Sequence, residues 1–187
     1  MIELGRKQAL MVVKKTEFGV YLGTEDDKVL LPAKYADPDI EEGDSMTVFV
    51  YRDSKDRLIA TTLEPLITLG EVKPLKVKQL TKIGAFMDWG LEKDLLLPFS
   101  EQTSRVEEGR TYPVALYIDK SDRLCATTKI YPYLKTTDAY HTGDGVKGTA
   151  YEYIEKFGMF VAIDNMYQGL IPKKALYGRI RIGDEVK

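Results

Sequence analysis

A short phrase of sequence recurs three times in this chain, first as Thr16-Glu17-Phe18-Gly19-Val20-Tyr21, then Val29-Leu30-Leu31-Pro32, then Glu42-Gly43-Asp44. The second copy reads Thr81-Lys82-Ile83-Gly84-Ala85-Phe86, Leu95-Leu96-Leu97-Pro98 and Glu108-Gly109-Arg110, and the third reads Glu155-Lys156-Phe157-Gly158-Met159-Phe160, Gly169-Leu170-Ile171-Pro172 and Ile182-Gly183-Asp184. The proline and the following glycine keep the same spacing in every copy. Fixed spacing over several positions indicates one small domain used repeatedly.

These copies predict the domain organisation. We expect a first module over residues 1–65, a second over 66–130, a linker over 131–146 and a partial third module over 147–187. The third copy stops at Lys187, where its fourth strand would begin. A barrel without its last hairpin would leave open edges. The expectation is therefore a fragment of a longer protein, or a sheet that a partner completes.

Short apolar runs predict strands rather than helices, because β-branched and aromatic residues dominate them. In the first copy the predicted strands cover residues 10–13, 18–22, 29–31, 47–51 and 58–61. The second copy repeats the series at residues 75–80, 84–88, 95–97, 112–118 and 124–128. Five short strands in so small a module favour a closed barrel, which hides the sheet edges. The predicted fold is all-β, with tandem five-stranded OB-fold barrels and a truncated third copy.

Proline and glycine mark the same points in each module. Because proline cannot donate to the ladder, the third strand is predicted to end at Pro32, Pro98 and Pro172. Glycine within a strand allows a bend or a close approach of two backbones, which is the role predicted for Gly19, Gly84 and Gly158.

Composition sets limits on the function. The formal net charge is −2, with an acidic first copy and a basic third copy, so strong non-specific binding to nucleic acid is not expected. The single cysteine, Cys125, excludes a disulfide within the chain. There is no run of 18 apolar residues and no apolar stretch typical of a signal peptide. We expect a cytoplasmic protein that does not bind a membrane.

The third copy carries the most specific resemblance. Its Phe157-Gly158-Met159-Phe160, Gly169-Leu170-Ile171-Pro172 and Gly183-Asp184-Glu185-Val186 resemble the RNA-binding module named after ribosomal protein S-one. The whole chain, beginning at Leu10-Met11-Val12-Val13, further resembles the bacterial conserved virulence factor B family, which has three such modules followed by a winged helix. This resemblance implies a non-catalytic protein that binds single-stranded RNA and regulates bacterial gene expression, including virulence genes.

The resemblance also implies where RNA would lie. In such modules bases stack on aromatic side chains near strands two and three, and each stacked base contributes about 1–3 kcal/mol. The corresponding positions here are Phe18 and Tyr21, Ile83 and Phe86, and Phe157 and Phe160. The second copy has lost one aromatic ring. An open alternative is that these side chains belong to the barrel core.

Charged residues extend the implied site. The module's hairpin aspartate and arginine correspond to Asp53 and Arg57, and to Asp119 and Arg123. An arginine can stack on a base or bind a phosphate, but a turn aspartate with a solvated arginine is an equally simple explanation. In the third copy the basic residues expected to line a groove over the aromatic rings, or else to be solvated surface, are Lys156, Lys173, Lys174, Arg179 and Arg181.

One departure from the module concerns its third strand. A histidine common at the end of that strand is replaced by Pro32, Pro98 and Pro172, which puts the usual nucleotide pocket in doubt. This departure and the acidic first copy support an alternative function. In that alternative the N-terminal modules bind proteins rather than RNA, as part of an interaction scaffold.

Catalysis has little support in the sequence. His141 is the only histidine and lies in a polar segment, and Cys125 occupies a strand position where a buried thiol is expected. We find neither a Cys/His set for zinc nor a phosphate-binding loop, so no metal, cofactor or enzymatic activity is expected. A hydrolase that uses surface carboxylates remains the other alternative.

Overall fold

The computed structural model describes the whole chain, from Met1 to Lys187, and consists of strands, turns and short 3₁₀ helices. The chain divides into two compact units. The first unit comprises Met1–Leu69, Gly90–Lys93 and Ile118–Leu124. The second unit comprises Gly70–Trp89, Asp94–Tyr117 and Cys125–Lys187.

The first copy forms a closed barrel. Its strands are β1 (Lys7–Thr16), β2 (Gly19–Gly23), β3 (Lys28–Pro32), β4 (Ser45–Arg52) and β5 (Leu58–Thr61). They are ordered β1-β2-β3-β5-β4, and the parallel pairing of β3 with β5 closes the sheet. Alternate residues point inward and form a core that includes Val12, Val20, Leu22, Leu31, Val48, Val50 and Ala60. The predicted OB-type strand order is confirmed.

The second copy forms a five-stranded sheet in the corresponding order. Its strands are β6 (Val72–Leu80), β7 (Gly84–Asp88), β8 (Leu95–Pro98), β9 (Thr111–Ile118) and β10 (Leu124–Thr127). The order is β10-β9-β6-β7-β8. Its buried residues include Leu75, Val77, Ala85, Met87, Leu95, Leu97, Val114, Leu116 and Ala126.

The third copy is an open sheet of four strands. It comprises β11 (Gly148–Ile154), β12 (Gly158–Ile163), β13 (Tyr167–Pro172) and β14 (Glu185–Val186), ordered β13-β12-β11-β14. One buried cluster of this sheet consists of Ala150, Met159 and Val161, and apolar side chains such as Ile171 and Ile182 pack against it but are only partly buried. The predicted all-β fold of tandem barrel-like modules is therefore confirmed, with a closed first sheet and a third sheet that is partly open.

The predicted proline and glycine roles are confirmed as well. The strands β3, β8 and β13 end at Pro32, Pro98 and Pro172, and each proline leads into a 3₁₀ turn (Ala33–Tyr35, Phe99–Glu101 and Lys173–Ala175). A Cβ atom on Gly19, Gly84 or Gly158 would lie 2.1, 2.3 or 2.2 Å from a backbone carbonyl oxygen of the neighbouring strand. These glycines permit the close approach of the second and third strands.

The first residues of the segment predicted as a linker are ordered against the second unit, and Leu134 is buried there. A fourth 3₁₀ turn, Tyr131–Tyr133, follows the second copy, and Leu134 packs in an apolar cluster with Val72 and Tyr151. The polar stretch from Thr136 to Gly145 is exposed. The structure has no helix with the length and hydropathy needed to cross a membrane.

Candidate functional site

The residue before the strand-two glycine is exposed in every copy. Phe18, Ile83 and Phe157 are 70%, 60% and 50% exposed, so they do not belong to a barrel core. Each lies in the turn that precedes the glycine of β2, β7 or β12. Large apolar side chains held at this exposure in three equivalent turns are available for contact with another molecule.

The aromatic residue two positions after the glycine lies on the sheet itself. Tyr21, Phe86 and Phe160 are each partly buried. Each is flanked by one residue of the first strand and one of the third, in the rows Lys14–Tyr21–Leu30, Gln79–Phe86–Leu96 and Glu152–Phe160–Leu170. We call these the three aromatic rows.

A β-bulge sets the register of every row. The first strand shifts register between Val12 and Lys14 in the first copy, and the equivalent shift recurs in β6 and β11. A bulge adds one unpaired residue, which breaks the strict alternation of side chains between the two faces. In β11 the additional residue is Tyr151, so that Tyr151 and Glu152 both face one pocket.

That pocket lies in the second unit and is mostly aromatic. Phe160 is at its centre, with ring centroids 6.1 Å from Tyr131 and 6.3 Å from Phe157, both edge to face. Tyr151 is tilted against Phe160 at 6.3 Å. Such offset geometries are the favoured arrangement of aromatic rings. The lining of this aromatic pocket comprises Tyr131, Tyr151, Glu152, Ile154, Phe157, Phe160 and Leu170.

Tyr151 forms the deepest part of the pocket. Its side chain is only 1% exposed, and its buried hydroxyl has no hydrogen-bond partner. Burial, together with the nearby charge of Glu152, raises the pKa of the Tyr151 phenol above its usual value. Tyr151 is therefore a neutral hydrogen-bond donor.

Tyr131 and Tyr151 were not among the residues predicted from the sequence. Tyr131 is supplied by the 3₁₀ turn after the second copy, and Tyr151 by a bulge. No local sequence pattern predicts either position. The place of Tyr131 depends on how the turn packs, and that of Tyr151 depends on strand register. The aromatic density of Tyr131-Pro132-Tyr133 is the one signal that could have drawn attention to Tyr131.

The predicted basic residues are divided between different environments. Lys156 lies over the Phe157 ring, with its Nζ atom 5.8 Å from the centroid. Lys173 forms an ion pair with Glu155, which raises the pKa of the lysine, and Arg181 forms one with Glu107. Of the predicted basic residues, Lys156, Lys174 and Arg179 form no ion pair.

The structure does not assemble the predicted groove as a single site. Arg179 and Arg181 line a second pocket, with Tyr153 and Met159, that shares no residue with the aromatic pocket. Met159 and Phe160 are adjacent in β12 and so point to opposite faces of the sheet. Arg179 and Arg181 therefore lie on the other side from the aromatic rings.

The hairpin aspartates stabilise their own turns. Asp53 Oδ1 accepts hydrogen bonds from the backbone N–H groups of Lys55 (2.9 Å) and Arg57 (3.0 Å), and Asp53 Oδ2 accepts one from Arg57 Nε (3.0 Å). Burial of Asp53 would raise its pKa, but the hydrogen bonds from Arg57 and Lys55 and the charge of Arg57 outweigh burial and lower it.

The second hairpin repeats this arrangement. Asp119 Oδ1 accepts hydrogen bonds from the backbone N–H groups of Ser121 (2.8 Å) and Arg123 (3.0 Å), and the Arg123 guanidinium lies 3.0 Å from Asp56 Oδ2. Asp53, Arg57, Asp119 and Arg123 thus have structural partners in the first unit. This geometry favours the turn interpretation of the four residues over RNA contact.

Cys125 and His141 are the remaining candidates for chemistry that the sequence offered. Cys125 is buried, as the sequence predicted. His141 is exposed beside Asp144, with 3.8 Å between Nδ1 and Oδ2. The chemistry that the aromatic pocket itself offers is stacking, with hydrogen bonding to one carboxylate.

Comparison with known proteins identifies the module. Residues 4–63 and 69–129 each match the S1 domain, the module named after ribosomal protein S-one. The uncharacterized protein YitL of Bacillus subtilis (strain 168) is 35% identical over 94 residues, which are 50% of this chain and 32% of that protein. The chain therefore matches about a third of the length of that relative.

A solved structure shares the architecture. A multidomain protein with nucleic acid binding domains from Streptococcus pneumoniae TIGR4 aligns with a TM-score of 0.65 and 20% identity, over 98% of this chain and 67% of that one. At this identity the likeness establishes the fold. Assignment to the conserved virulence factor B family stays a prediction. Because the two S1 domain matches together cover more than half of the sequence, the chain belongs to the S1 domain family.

Proposed function

We propose that this chain binds single-stranded RNA through the aromatic pocket of its third copy and has no catalytic activity. The observation that carries the proposal is the cluster of Phe157, Phe160 and Tyr131, whose rings meet edge to face around an open apolar pocket. Membership of the S1 domain family supports nucleic-acid binding. So does the architecture shared with the streptococcal protein described as having nucleic acid binding domains.

Stacking explains how such a pocket would hold RNA. Phe157 and Tyr131 are each 50% exposed, which leaves ring surface available to an unpaired base. Their contacts with Phe160 limit their rotation, so little conformational entropy is lost on binding. Each stacked base contributes about 1–3 kcal/mol whatever its identity. Two or three such contacts would give a short unstructured RNA measurable affinity.

Charge has a smaller role in the proposal. Lys156 and Lys174 have no ion pair, whereas Lys173 is neutralised by Glu155, and Arg179 and Arg181 lie on the other face of the sheet. Each phosphate that a cation contacts on a single strand contributes a slope of about −0.7 to the dependence of log K on log salt. If both of these cations contact phosphate, affinity falls by about sevenfold between about 50 and 200 mM salt.

The exposed ring of Phe157 gives the most direct test of stacking. Phe157→Ala removes a stacking surface without removing core volume, and we expect it to weaken binding of a fluorescently labelled oligouridine of about nine nucleotides by about tenfold. Phe157→Ala combined with Phe160→Ala should weaken binding further. Fluorescence anisotropy titration measures both. Tyr177→Ala is the matched control, since Tyr177 is 85% exposed and lies outside the aromatic pocket. Unchanged affinity in the double variant would refute the proposal.

A protein-interaction surface is the second candidate function. The neutralised cations Lys173 and Arg181 favour it, because they weaken attraction for phosphate. Salt discriminates between the two, since an apolar protein contact strengthens or stays constant where RNA binding weakens.

We infer a role in the regulation of bacterial gene expression, including virulence genes. The support for this role is the resemblance of the chain to the conserved virulence factor B family. Pull-down of RNA crosslinked to the chain in cells tests it. Recovery of no transcript above the level of the Phe157→Ala, Phe160→Ala variant would count against it.

A further inference from the structure

Glu152 is the one charged residue of the aromatic pocket. It is partly buried among Tyr151, Phe157 and Phe160, and its side chain forms neither an ion pair nor a hydrogen bond. A carboxylate in apolar surroundings is unfavourable unless donors reach it. Ionised, it offers two acceptor oxygens and no donor. The pocket is therefore suited to a ligand that combines an aromatic face with adjacent N–H groups.

The equivalent position differs in the other two copies. Across the bulge from the strand-two aromatic, the first copy has Lys14 and the second has Gln79, and neither side chain has a partner. Lysine only donates, glutamine both donates and accepts, and glutamate only accepts. The aromatic rows thus keep the stacking ring and change the hydrogen-bonding group beside it. Stacking is tolerant of sequence, so this neighbouring position is where discrimination between bases can arise.

Guanine is the base that fits a carboxylate. Its Watson–Crick edge presents two adjacent donors, N1–H and the N2 amino group, which can bind both oxygens of a carboxylate in parallel. The single N3–H donor of uracil lies between two carbonyl oxygens that repel negative charge. Adenine and cytosine each offer an amino group next to a ring nitrogen acceptor, which also repels a carboxylate. We propose that Glu152 makes the third copy select guanine from single-stranded RNA, an inference that rests on the RNA binding proposed above.

The test measures the affinity of this chain for three labelled RNAs of about nine nucleotides. One is oligouridine, the second carries a single central guanosine, and the third carries inosine there, which lacks the N2 amino group. We expect the guanosine RNA to bind about tenfold more tightly than oligouridine, with inosine between them. Glu152→Gln should bring the ratio of the guanosine and oligouridine affinities close to one. Glu185→Gln should leave that ratio unchanged, because Glu185 is an exposed glutamate of β14 outside the aromatic pocket.

The outcomes separate this inference from the proposed function. Equal affinity for guanosine and uridine RNAs, or a guanosine preference that persists in Glu152→Gln, overturns guanine selection. RNA binding itself still stands in that case if Phe157→Ala weakens oligouridine binding. Failure of all three RNAs to bind overturns both. A preference lost equally in Glu185→Gln would show a general charge effect and would also overturn the role of Glu152.

Discussion

At Gly84, a side chain with even a single Cβ atom would clash with the neighbouring strand. Gly84 lies in β7 with φ of 151°, and a Cβ atom there would be 2.3 Å from the Leu97 carbonyl oxygen and 2.9 Å from the Pro98 Cα atom. Both neighbours are backbone, which cannot rotate away as a flexible side chain could. The pairing of β7 with β8 would have to open locally to admit a methyl group.

We expect Gly84→Ala to lower the free energy of unfolding by about 3 kcal/mol, from strain in the backbone and the clash together. Gly109→Ala is the matched control, because Gly109 has φ of 83° and no atom within 4 Å of a Cβ atom. Gly109→Ala should therefore lower the free energy of unfolding only by the conformational cost of placing alanine at a positive φ, about 1 kcal/mol. Urea denaturation measures both variants. Equal destabilisation would show that close approach of the strands is not the reason for glycine at this position.

At the scale of elements, the hairpin between β4 and β5 depends on one carboxylate. The Asp53 side chain is 17% exposed and accepts two backbone hydrogen bonds. It also forms an ion pair with the Arg57 side chain, which is 68% exposed. Because Arg57 is largely solvated, its ion pair contributes little. The backbone hydrogen bonds hold the turn.

Asp53→Ala should destabilise the fold by about 1 kcal/mol near pH 7. The pKa of Asp53 is lower in the folded chain than the ordinary value of 3.8, so its stabilisation is complete above that value. It is lost as pH falls through the lower folded value. Wild type and Asp53→Ala should therefore differ near pH 7 and converge as pH falls below 3.8 and through the lower folded pKa of Asp53. Asp26→Ala, which removes an exposed carboxylate, is the control. A difference that is constant with pH would show that the ionised form of Asp53 is not what stabilises the turn.

The strand order could be predicted from the sequence, but the residues that line the aromatic pocket could be predicted only in part. Proline and glycine set the strand ends, as at Pro32 and Gly84, because their backbone limits are local. Phe157 could be found because it recurs beside a glycine. Tyr151 and Glu152 could not be assigned to one face, since alternation predicts opposite faces for neighbours and only the bulge brings both to the pocket.

In the whole molecule, two kinds of contact join the second and third copies within the second unit. One is a surface network in which Arg110 bonds Asp184 (2.9 Å) and Glu107 (3.2 Å), and Glu107 also pairs with Arg181. The other is an apolar cluster that includes Val72, Ala115, Ile130, Leu134, Tyr151 and Ala162. The carboxylate of Glu107 and the guanidinium of Arg181 are each more than half exposed. Exposed pairs contribute about 0–1 kcal/mol, whereas a buried leucine contributes about 2–5 kcal/mol.

The apolar cluster should therefore determine whether the two copies unfold together. Leu134 is 6% exposed in this cluster, so Leu134→Ala should lower the free energy of unfolding by about 2–3 kcal/mol. It should also broaden the thermal transition or split it in two, as the third copy loses its support. Arg181→Ala should change stability by less than about 1 kcal/mol and leave a single transition. Differential scanning calorimetry of both variants measures this. If Arg181→Ala splits the transition and Leu134→Ala does not, the ion pairs rather than the apolar cluster couple the copies.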